Sequence, residues 1–135
     1  MITSQGEMLK QTPVRARALG IVPGQFSPGP LNALTDVPGI RAGQVTLIEG
    51  SDIRSGVTAI MPDQLLARRT LPAGLFVGNG YGKLIGATQL EELGEIETPI
   101  VLTGTLSAFR VADYLVSYVL ALPGNEEMTS VNPIV

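Results

Sequence analysis

The sequence has 135 residues, of which 44% are hydrophobic and 16% are charged, with a net charge of -3. A chain of this size and composition is expected to fold around one core, and it lacks the basic surface that binding to a phosphate backbone requires. The absence of cysteine and histidine excludes disulfides, thiolate chemistry, the usual zinc and copper sites and a histidine general base. The composition does not exclude a magnesium or calcium site built from oxygen ligands, but no motif indicates a metal or a cofactor.

The first part of the chain is rich in turn-forming residues. Residues 1–31 contain Pro13, Pro23, Pro28 and Pro30 among several glycines, which predicts an extended N-terminal arm rather than a helix or strand. This region has no apolar run long enough for a signal peptide, and no segment of the chain approaches the roughly 18 apolar residues of a membrane span. A cytoplasmic location is therefore expected, or a periplasmic one if a leader has been removed.

Residues 32–135 are predicted to form the folded unit, and its first half is rich in β-formers. Two short strands are predicted around the turn at residues 37–39, because β-forming residues such as Ile40, Val45 and Leu47 surround it. Further strands are predicted at residues 55–62 and 74–80, where apolar runs end in proline or glycine.

The second half alternates helices with strands. Thr88 and Glu91 match a capping box and Gly94 matches a helix stop, which predicts a helix at residues 89–93. The segment TPIVLTGT predicts a strand, and Thr105 is expected to cap a helix from Leu106 to Leu120. The buried face predicted for that helix consists of Phe109, Ala112, Val116 and Val119.

The last segment, TSVNPIV, predicts a strand that is cut off at the final residue. The alternation of strands and helices predicts an α/β or α+β fold, and the glycine-rich turns favour a mixed sheet.

The segment VGNGYGKLIG at residues 77–86 resembles a phosphate-binding loop only superficially. Val77 stands where that motif needs its first glycine, and Leu84 stands where it needs serine or threonine. The dinucleotide pattern fails as well, because Lys83 occupies the third glycine position. A tight turn in which Gly78, Gly80 and Gly82 adopt positive φ or admit a close neighbour is the favoured interpretation.

Two clusters of polar residues are candidates for a functional site. Glutamates at 91, 92, 95 and 97 are explained more simply by capping and solvation than by paired acid and base catalysis. Asp36 is expected to accept backbone amides in a turn. Thr103, Thr105 and Ser107 stand at a strand-to-helix junction, where amide donors converge on an anion or a carbonyl oxygen, so these hydroxyls are a candidate site.

Several segments, in order, resemble the start of the α-subunit of the DmpA-type peptidases, which include the β-peptidyl aminopeptidases and the L-aminopeptidase/D-Ala-esterase/amidases. They are ALTDVPGIRAGQVT, SGVTAIMP, the stretch from GNGYGKLIGATQLEELG through IETPIVLTGTLSAFRVADYLV, and the closing VNPIV. The similarity begins near residue 18 and is most specific in IETPIVLTGTLS. Gly104 departs from the pattern, because the family usually has asparagine there.

The resemblance implies the N-terminal portion of a four-layer αββα sandwich of the DmpA and ornithine acetyltransferase type. It further implies a precursor that cuts itself, so that the serine at the new N-terminus of the second chain becomes the nucleophile and its amine replaces a histidine base. The nucleophile and its helpers would then lie on a complementary C-terminal chain, with no catalytic residue, metal or cofactor in this one. Substrates would be peptides, amides or esters, and the processed units would form an oligomer.

Two other functions stay open at this point. The chain could be a truncated protein that binds or assembles without catalysis, or part of an acyltransferase like ornithine acetyltransferase. If the chain is part of an aminopeptidase, the resemblance implies that the final strand leads into the residue that binds the free amine of the substrate. Residues 132–135 are therefore expected in the central sheet, and Asn132 is the candidate substrate-binding residue.

Overall fold

A computed structural model describes residues 14–65 and 69–135. Its strands and helices, in chain order, are β1 (Ile40–Glu49), β2 (Ile53–Pro62), β3 (Leu71–Pro72), α1 (Ala87–Leu93), β4 (Glu95–Ile96), β5 (Ile100–Thr103) and α2 (Ala108–Leu120). Short 3-10 turns occur at Ala16–Leu19, Leu34–Asp36 and Thr105–Ser107. Neither α-helix is long and apolar enough to cross a membrane, a finding that covers the described ranges.

The main sheet is antiparallel in the order β1-β2-β5, and β3 pairs with β4 in a separate two-stranded ribbon. β1 and β2 form a hairpin whose pairing runs without a bulge from Ile40↔Pro62 to Glu49↔Ile53. The prediction of two short strands in this region is therefore wrong. Gly43 pairs with Ala59 within the ladder, so the glycine does not interrupt the strand.

The end of the chain enters the same sheet. Ile134 forms a parallel bridge with Ile100, and the Val101 amide donates to the Ile134 carbonyl at 2.9 Å. On its other side, Val135 exchanges both backbone hydrogen bonds with Ile85, at 2.9 and 3.3 Å. The expected mixed sheet is present, but the strand predicted at 129–135 is reduced to its last residues, since Pro133 has no amide hydrogen to donate.

Thr98 anchors this terminal segment from a fully buried position. Its Oγ1 accepts a hydrogen bond from the Ile134 amide at 3.1 Å and donates to the Pro99 carbonyl at 3.0 Å. The hydroxyl therefore satisfies a backbone donor that has no access to water.

Thr98→Val should destabilise the fold by about 1–3 kcal/mol, because the buried Ile134 amide loses its acceptor while the side-chain volume is kept. Thr98→Ser retains the hydroxyl and should lose less. Urea unfolding followed by circular dichroism compares the two variants, and a valine variant as stable as the serine variant would contradict this role.

Two small hydrophobic clusters lie on opposite faces of the sheet. One joins α2 to the sheet through Val101, Leu115 and Val119. The other joins α1 to the terminal segment through Leu90, Ile96 and Ile134. The successive residues Ile134 and Val135 thus contribute to different clusters, as side chains on a strand alternate between faces.

The buried face of α2 differs from the predicted one. Ala108, Ala112, Leu115 and Val119 are buried, whereas the Phe109 side chain is 69% exposed and Val116 is half-buried. The buried stripe is therefore rotated towards Leu115, because contact with β5 selects one side of a helix that is apolar over a wider arc.

The predicted helix caps are right at one position and wrong at two. Gly94 ends α1 in the left-handed conformation, with its amide bonded to the Leu90 carbonyl at 3.1 Å. Thr88 lies inside α1, which follows Gly86, so the capping box is wrong. The N-cap of α2 is Ser107, without a side-chain hydrogen bond, so Thr105 does not cap it.

Two further predictions concern irregular segments. Residues 74–80 form no strand, because three glycines within seven residues raise the entropic cost of an extended conformation. Residues 1–13 of the predicted arm lie outside the described residues, and residues 14–31 contain one short 3-10 turn. The domain boundary at residue 31 stays a prediction.

Asp36 accepts the amides of Leu31 and Ala33 at 3.0 and 3.1 Å, which confirms its role in a turn.

Candidate substrate cleft

Three segments meet at the carboxyl end of β5 and enclose a cleft of about 210 Å³. They are the end of the glycine-rich loop, the junction from β5 to α2, and the last residue of the chain. The lining residues are Gly82, Lys83, Leu84, Leu102, Thr103, Thr105, Ala108 and Val135. The cleft therefore brings together two of the sequence features singled out above, the glycine-rich loop and the hydroxyl cluster.

The glycine-rich loop is held by contacts within itself. The Tyr81 amide donates to Asn79 Oδ1 at 2.8 Å, and Lys83 Nζ donates to the Tyr81 carbonyl at 3.3 Å. The same ammonium group lies 4.8 Å from the centre of the Tyr81 ring, within cation–π distance. These contacts place a positive charge at the wall of the cleft.

The expected reason for the three glycines is wrong in the described part of the chain. Gly78, Gly80 and Gly82 do not have positive φ, and a Cβ at Gly80 or Gly82 would meet nothing within 4 Å. Gly86 is the residue in this stretch with positive φ, at 87°. There a side chain would collide with Ile134 and with the Pro133 carbonyl, so Gly86 permits the close approach of the terminal segment.

The three clustered hydroxyls have different surroundings. Thr103 Oγ1 donates to the Gly56 carbonyl at 3.1 Å and so fixes β5 to β2. Thr105 is exposed and lines the cleft, whereas Ser107 faces a separate groove beside Val111 and Tyr114. The structure therefore leaves Thr105, with Lys83, as the polar side chains best placed to bind a carbonyl or carboxylate oxygen.

The cleft by itself has no complete catalytic group. The sequence contains neither histidine nor cysteine, so its hydroxyls have no imidazole base beside them. Within residues 14–65 and 69–135, acidic side chains do not form a group of three that could hold a metal ion. The arrangement offers hydroxyl groups from Thr103 and Thr105 and the positive charge of Lys83 to a polar ligand.

Asn132 lies at the other end of the terminal segment. Its backbone amide and Nδ2 both donate to Glu97 Oε1, at 2.8 and 3.3 Å. Val135 lines the cleft, and three residues of extended chain place Asn132 about 10 Å from it. A role of Asn132 in substrate binding stays a prediction. Val135 belongs to residues 132–135, which were predicted to lie in the central sheet beside the active site, and that active site stays a prediction.

A second cavity, of about 270 Å³, lies at the amino end of β5, where the Arg41–Asp63 ion pair and Glu97 line it. Asn125, only 3% exposed, forms part of its wall. Its Nδ2 donates to the Val119 carbonyl at 2.7 Å. This contact satisfies a carbonyl at the end of α2, so Asn125 has a structural role that sequence patterns did not indicate.

The fold is similar to those of several solved structures. The L-aminopeptidase D-Ala-esterase/amidase from Ochrobactrum anthropi matches with a TM-score of 0.74 and 30% identity, over 90% of this chain and 36% of that one. It is described as a prototype for the serine aminopeptidases and a variant of the Ntn hydrolase fold. The PH0078 protein from Pyrococcus horikoshii OT3 matches with a TM-score of 0.79 and 44% identity, over 90% of this chain and 38% of that one.

Two curated aminopeptidases are similar to this chain in sequence. The β-peptidyl aminopeptidase BapA of Sphingosinicella microcystinivorans is 38% identical over 112 residues, covering 77% of this chain and 28% of the relative. BapA of Sphingosinicella xenopeptidilytica is 41% identical over 99 residues, covering 67% of this chain and 24% of the relative. The chain thus spans about a quarter of the length of these curated relatives.

These similarities define a mixed helix-and-sheet protein of the Ntn-hydrolase type found in serine aminopeptidases, which confirms the predicted fold class. The model of Peptidase family S58 matches residues 32–135. The chain belongs to this peptidase family, as the resemblance to the DmpA-type peptidases implied.

Proposed function

We propose that this chain is the N-terminal part of a self-processing serine aminopeptidase that removes N-terminal residues, including β-amino acids, from peptides, amides or esters. The observation that carries the proposal is the family match over residues 32–135, together with relatives that are β-peptidyl aminopeptidases. The nucleophile belongs to a complementary C-terminal chain, generated by cleavage of a common precursor.

The amino-acid composition of the chain supports the location of the nucleophile on a second chain. Without histidine or cysteine, its serine and threonine hydroxyls lack the usual activating partners. An N-terminal serine needs neither, because its own α-amine accepts the hydroxyl proton as the oxygen attacks the carbonyl. The chain covers 28% of one relative and 36% of the Ochrobactrum enzyme, so most of each relative lies outside the region that it matches.

Exposed apolar side chains beside the cleft support a complementary chain at this position. Leu106 is 99% exposed, Phe109 is 69% exposed and Leu102 is 53% exposed. These residues follow one another through the end of β5, the adjoining turn and the start of α2. Exposed apolar surface of this kind is typical of an interface, and these three residues adjoin the cleft, so we place the complementary chain against this surface.

In the assembled enzyme this chain supplies the scaffold and one wall of the substrate pocket. The terminal segment, fixed by Thr98, Ile85 and β5, presents Val135 at the cleft. Thr105 donates a hydrogen bond to a substrate oxygen, and Lys83 contributes positive charge. Asn132 contacts substrate only if the substrate extends towards Glu97.

Thr105→Val should lower kcat/KM of the assembled enzyme about tenfold, the effect of one lost hydrogen bond of about 1.4 kcal/mol. Thr129→Val is the matched control, because Thr129 is also exposed and does not line the cleft. Steady-state hydrolysis of an aminoacyl p-nitroanilide measures both. Equal kcat/KM values for the two variants would contradict the assignment of Thr105.

Activity measurements test the function itself. The chain and its complementary chain are purified together and separately, and release of p-nitroaniline from α- and β-aminoacyl anilides is followed. We expect hydrolysis by the assembly and none by the 135-residue chain alone. Hydrolysis by the isolated chain, or an assembly that transfers acyl groups to amino acids but not to water, would overturn the proposal.

A further inference from the structure

Two side chains between β4 and β5 hold the start of the terminal segment, residues 132–135. Thr98 Oγ1 accepts the Ile134 amide at 3.1 Å. Glu97 Oε1 accepts both the backbone amide and the Nδ2 group of Asn132, at 2.8 and 3.3 Å. One carboxylate oxygen therefore binds this residue through its main chain and its side chain together.

Side chains are needed at this point because the backbone ladder ends just before it. The Val101 amide of β5 donates to the Ile134 carbonyl at 2.9 Å. Parallel strands repeat such bonds at even intervals, and the next donor upstream on β5 would be Pro99, which has no amide hydrogen. The Glu97 carboxylate thus binds Asn132 where main-chain pairing cannot continue.

The other end of the terminal segment forms part of the substrate cleft. Val135 lines the cleft, about 10 Å along the extended chain from Asn132. Between them, the close approach to Gly86 restricts sideways movement, since a Cβ there would lie 2.5 Å from the Pro133 carbonyl oxygen. The contact with Glu97 therefore controls the remaining freedom, which is movement of the segment along its own axis.

We propose that Glu97 is a positioning residue for the aminopeptidase site and helps to set its substrate specificity. Its carboxylate holds Asn132, the extended segment carries that position to Val135, and Val135 forms the wall against which the substrate packs. This inference rests on the proposed function, because it needs a substrate in the cleft. It gives Asn132 a role in positioning that does not require contact with the substrate.

Substrates that differ by one methylene report the position of the cleft wall. An α-aminoacyl group has one carbon between its amine and its carbonyl, and a β-aminoacyl group has two. A displacement of the wall by about 1 Å changes the fit of these groups unequally, whereas partial unfolding of the enzyme lowers the rates for all substrates by the same factor. The ratio of their kcat/KM values therefore separates positioning from a loss of stability.

Substitutions of Glu97 in the assembled enzyme test the inference. With Glu97→Ala we expect the ratios of kcat/KM among alanyl, leucyl and β-alanyl p-nitroanilides to change at least about fivefold. Glu97→Gln keeps an acceptor oxygen and should keep these ratios within about twofold. Glu97→Asp draws the carboxylate back by one methylene and should change them in the same direction as Glu97→Ala, but by less. Glu95→Ala is the matched control, because Glu95 is also half-buried and lies two residues away in β4.

Variants of Asn132 test its place in the pair. Asn132→Ala removes the longer of the two bonds to Glu97 and keeps the backbone amide, so its effect on the ratios should be smaller than that of Glu97→Ala. Combined with Glu97→Ala it should add little, because both substitutions break the same contact. A further change in the double variant would show that Asn132 acts on the substrate directly and would overturn its assignment to the pair.

Hydrogen–deuterium exchange of peptides that contain Asn132, read by mass spectrometry, measures the contact without a substrate. Exchange should become faster in Glu97→Ala and stay unchanged in Glu95→Ala. If the enzyme hydrolyses the anilides with ratios that Glu97→Ala leaves unchanged, or if Glu95→Ala alters them equally, the inference is overturned and the proposed function stands. An unmodified enzyme that hydrolyses none of the anilides would overturn both.

Discussion

Leu115→Asp is expected to destabilise the chain by about 4 kcal/mol, because it leaves an unpaired carboxylate between α2 and the sheet. Leu115 is 6% exposed and packs with Val101 and Val119. Domains of this size are typically stable by about 5–15 kcal/mol, so the loss removes a large part of the total. Urea unfolding followed by circular dichroism measures the change.

Phe109→Asp is the matched control on the same helix. The spacing of apolar residues predicts that Phe109 is buried, whereas its side chain is 69% exposed. The substitution should change the free energy of unfolding of the isolated chain by no more than about 0.5 kcal/mol. If Phe109→Asp were the more damaging variant, the rotated face of α2 described above would be incorrect.

Gly86→Ala is expected to cost about 3 kcal/mol, since it combines backbone strain with a steric collision. Gly86 has φ of 87°, and an added Cβ would lie 2.5 Å from the Pro133 carbonyl oxygen and against Ile134. The terminal segment would have to move away from Ile85. Thermal unfolding of the variant measures the effect.

Two other glycines separate strain from collision. Gly94 has φ of 66° with its nearest neighbour at 3.9 Å, so Gly94→Ala should show the cost of the left-handed conformation alone, about 1 kcal/mol. Gly104 has φ of -71° and open space around it, so Gly104→Ala should be close to neutral. The predicted loss of stability on substitution by alanine is largest at Gly86, smaller at Gly94 and smallest at Gly104. If Gly86→Ala were no more destabilising than Gly94→Ala, the collision with the terminal segment would be relieved without cost.

Local sequence patterns predicted much of the fold but not its contacts. The strand at 55–62, the helix before Gly94 and the long helix ending at Leu120 all follow from residue spacing and turn chemistry. The buried face of α2 did not follow, because the helix is apolar on more than one side and β5 decides which side is covered. The uninterrupted β1 was missed because Gly43, a weak strand former, is held by pairing with Ala59.

The sequence indicated the separate segments of the candidate site but not that they lie side by side in the fold. The glycine-rich loop and the hydroxyl cluster both stood out in the sequence, but they are about twenty residues apart. Their proximity depends on the terminal segment, which pairs with Ile85 on one side and β5 on the other. Long-range pairing of this kind leaves no local signature, so the prediction that residues 132–135 lie in the central sheet did not include the pairing of Val135 with Ile85.

The central claim is that this chain is one part of an aminopeptidase whose nucleophile lies on a second chain. Intact mass spectrometry of the protein purified after expression of its complete gene tests it most directly. We predict two masses in equal amounts, one from an N-terminal chain that contains residues 1–135 and one from a second chain that begins with serine. A single unprocessed polypeptide that hydrolyses aminoacyl anilides, or a 135-residue chain that is active without a second one, would contradict it.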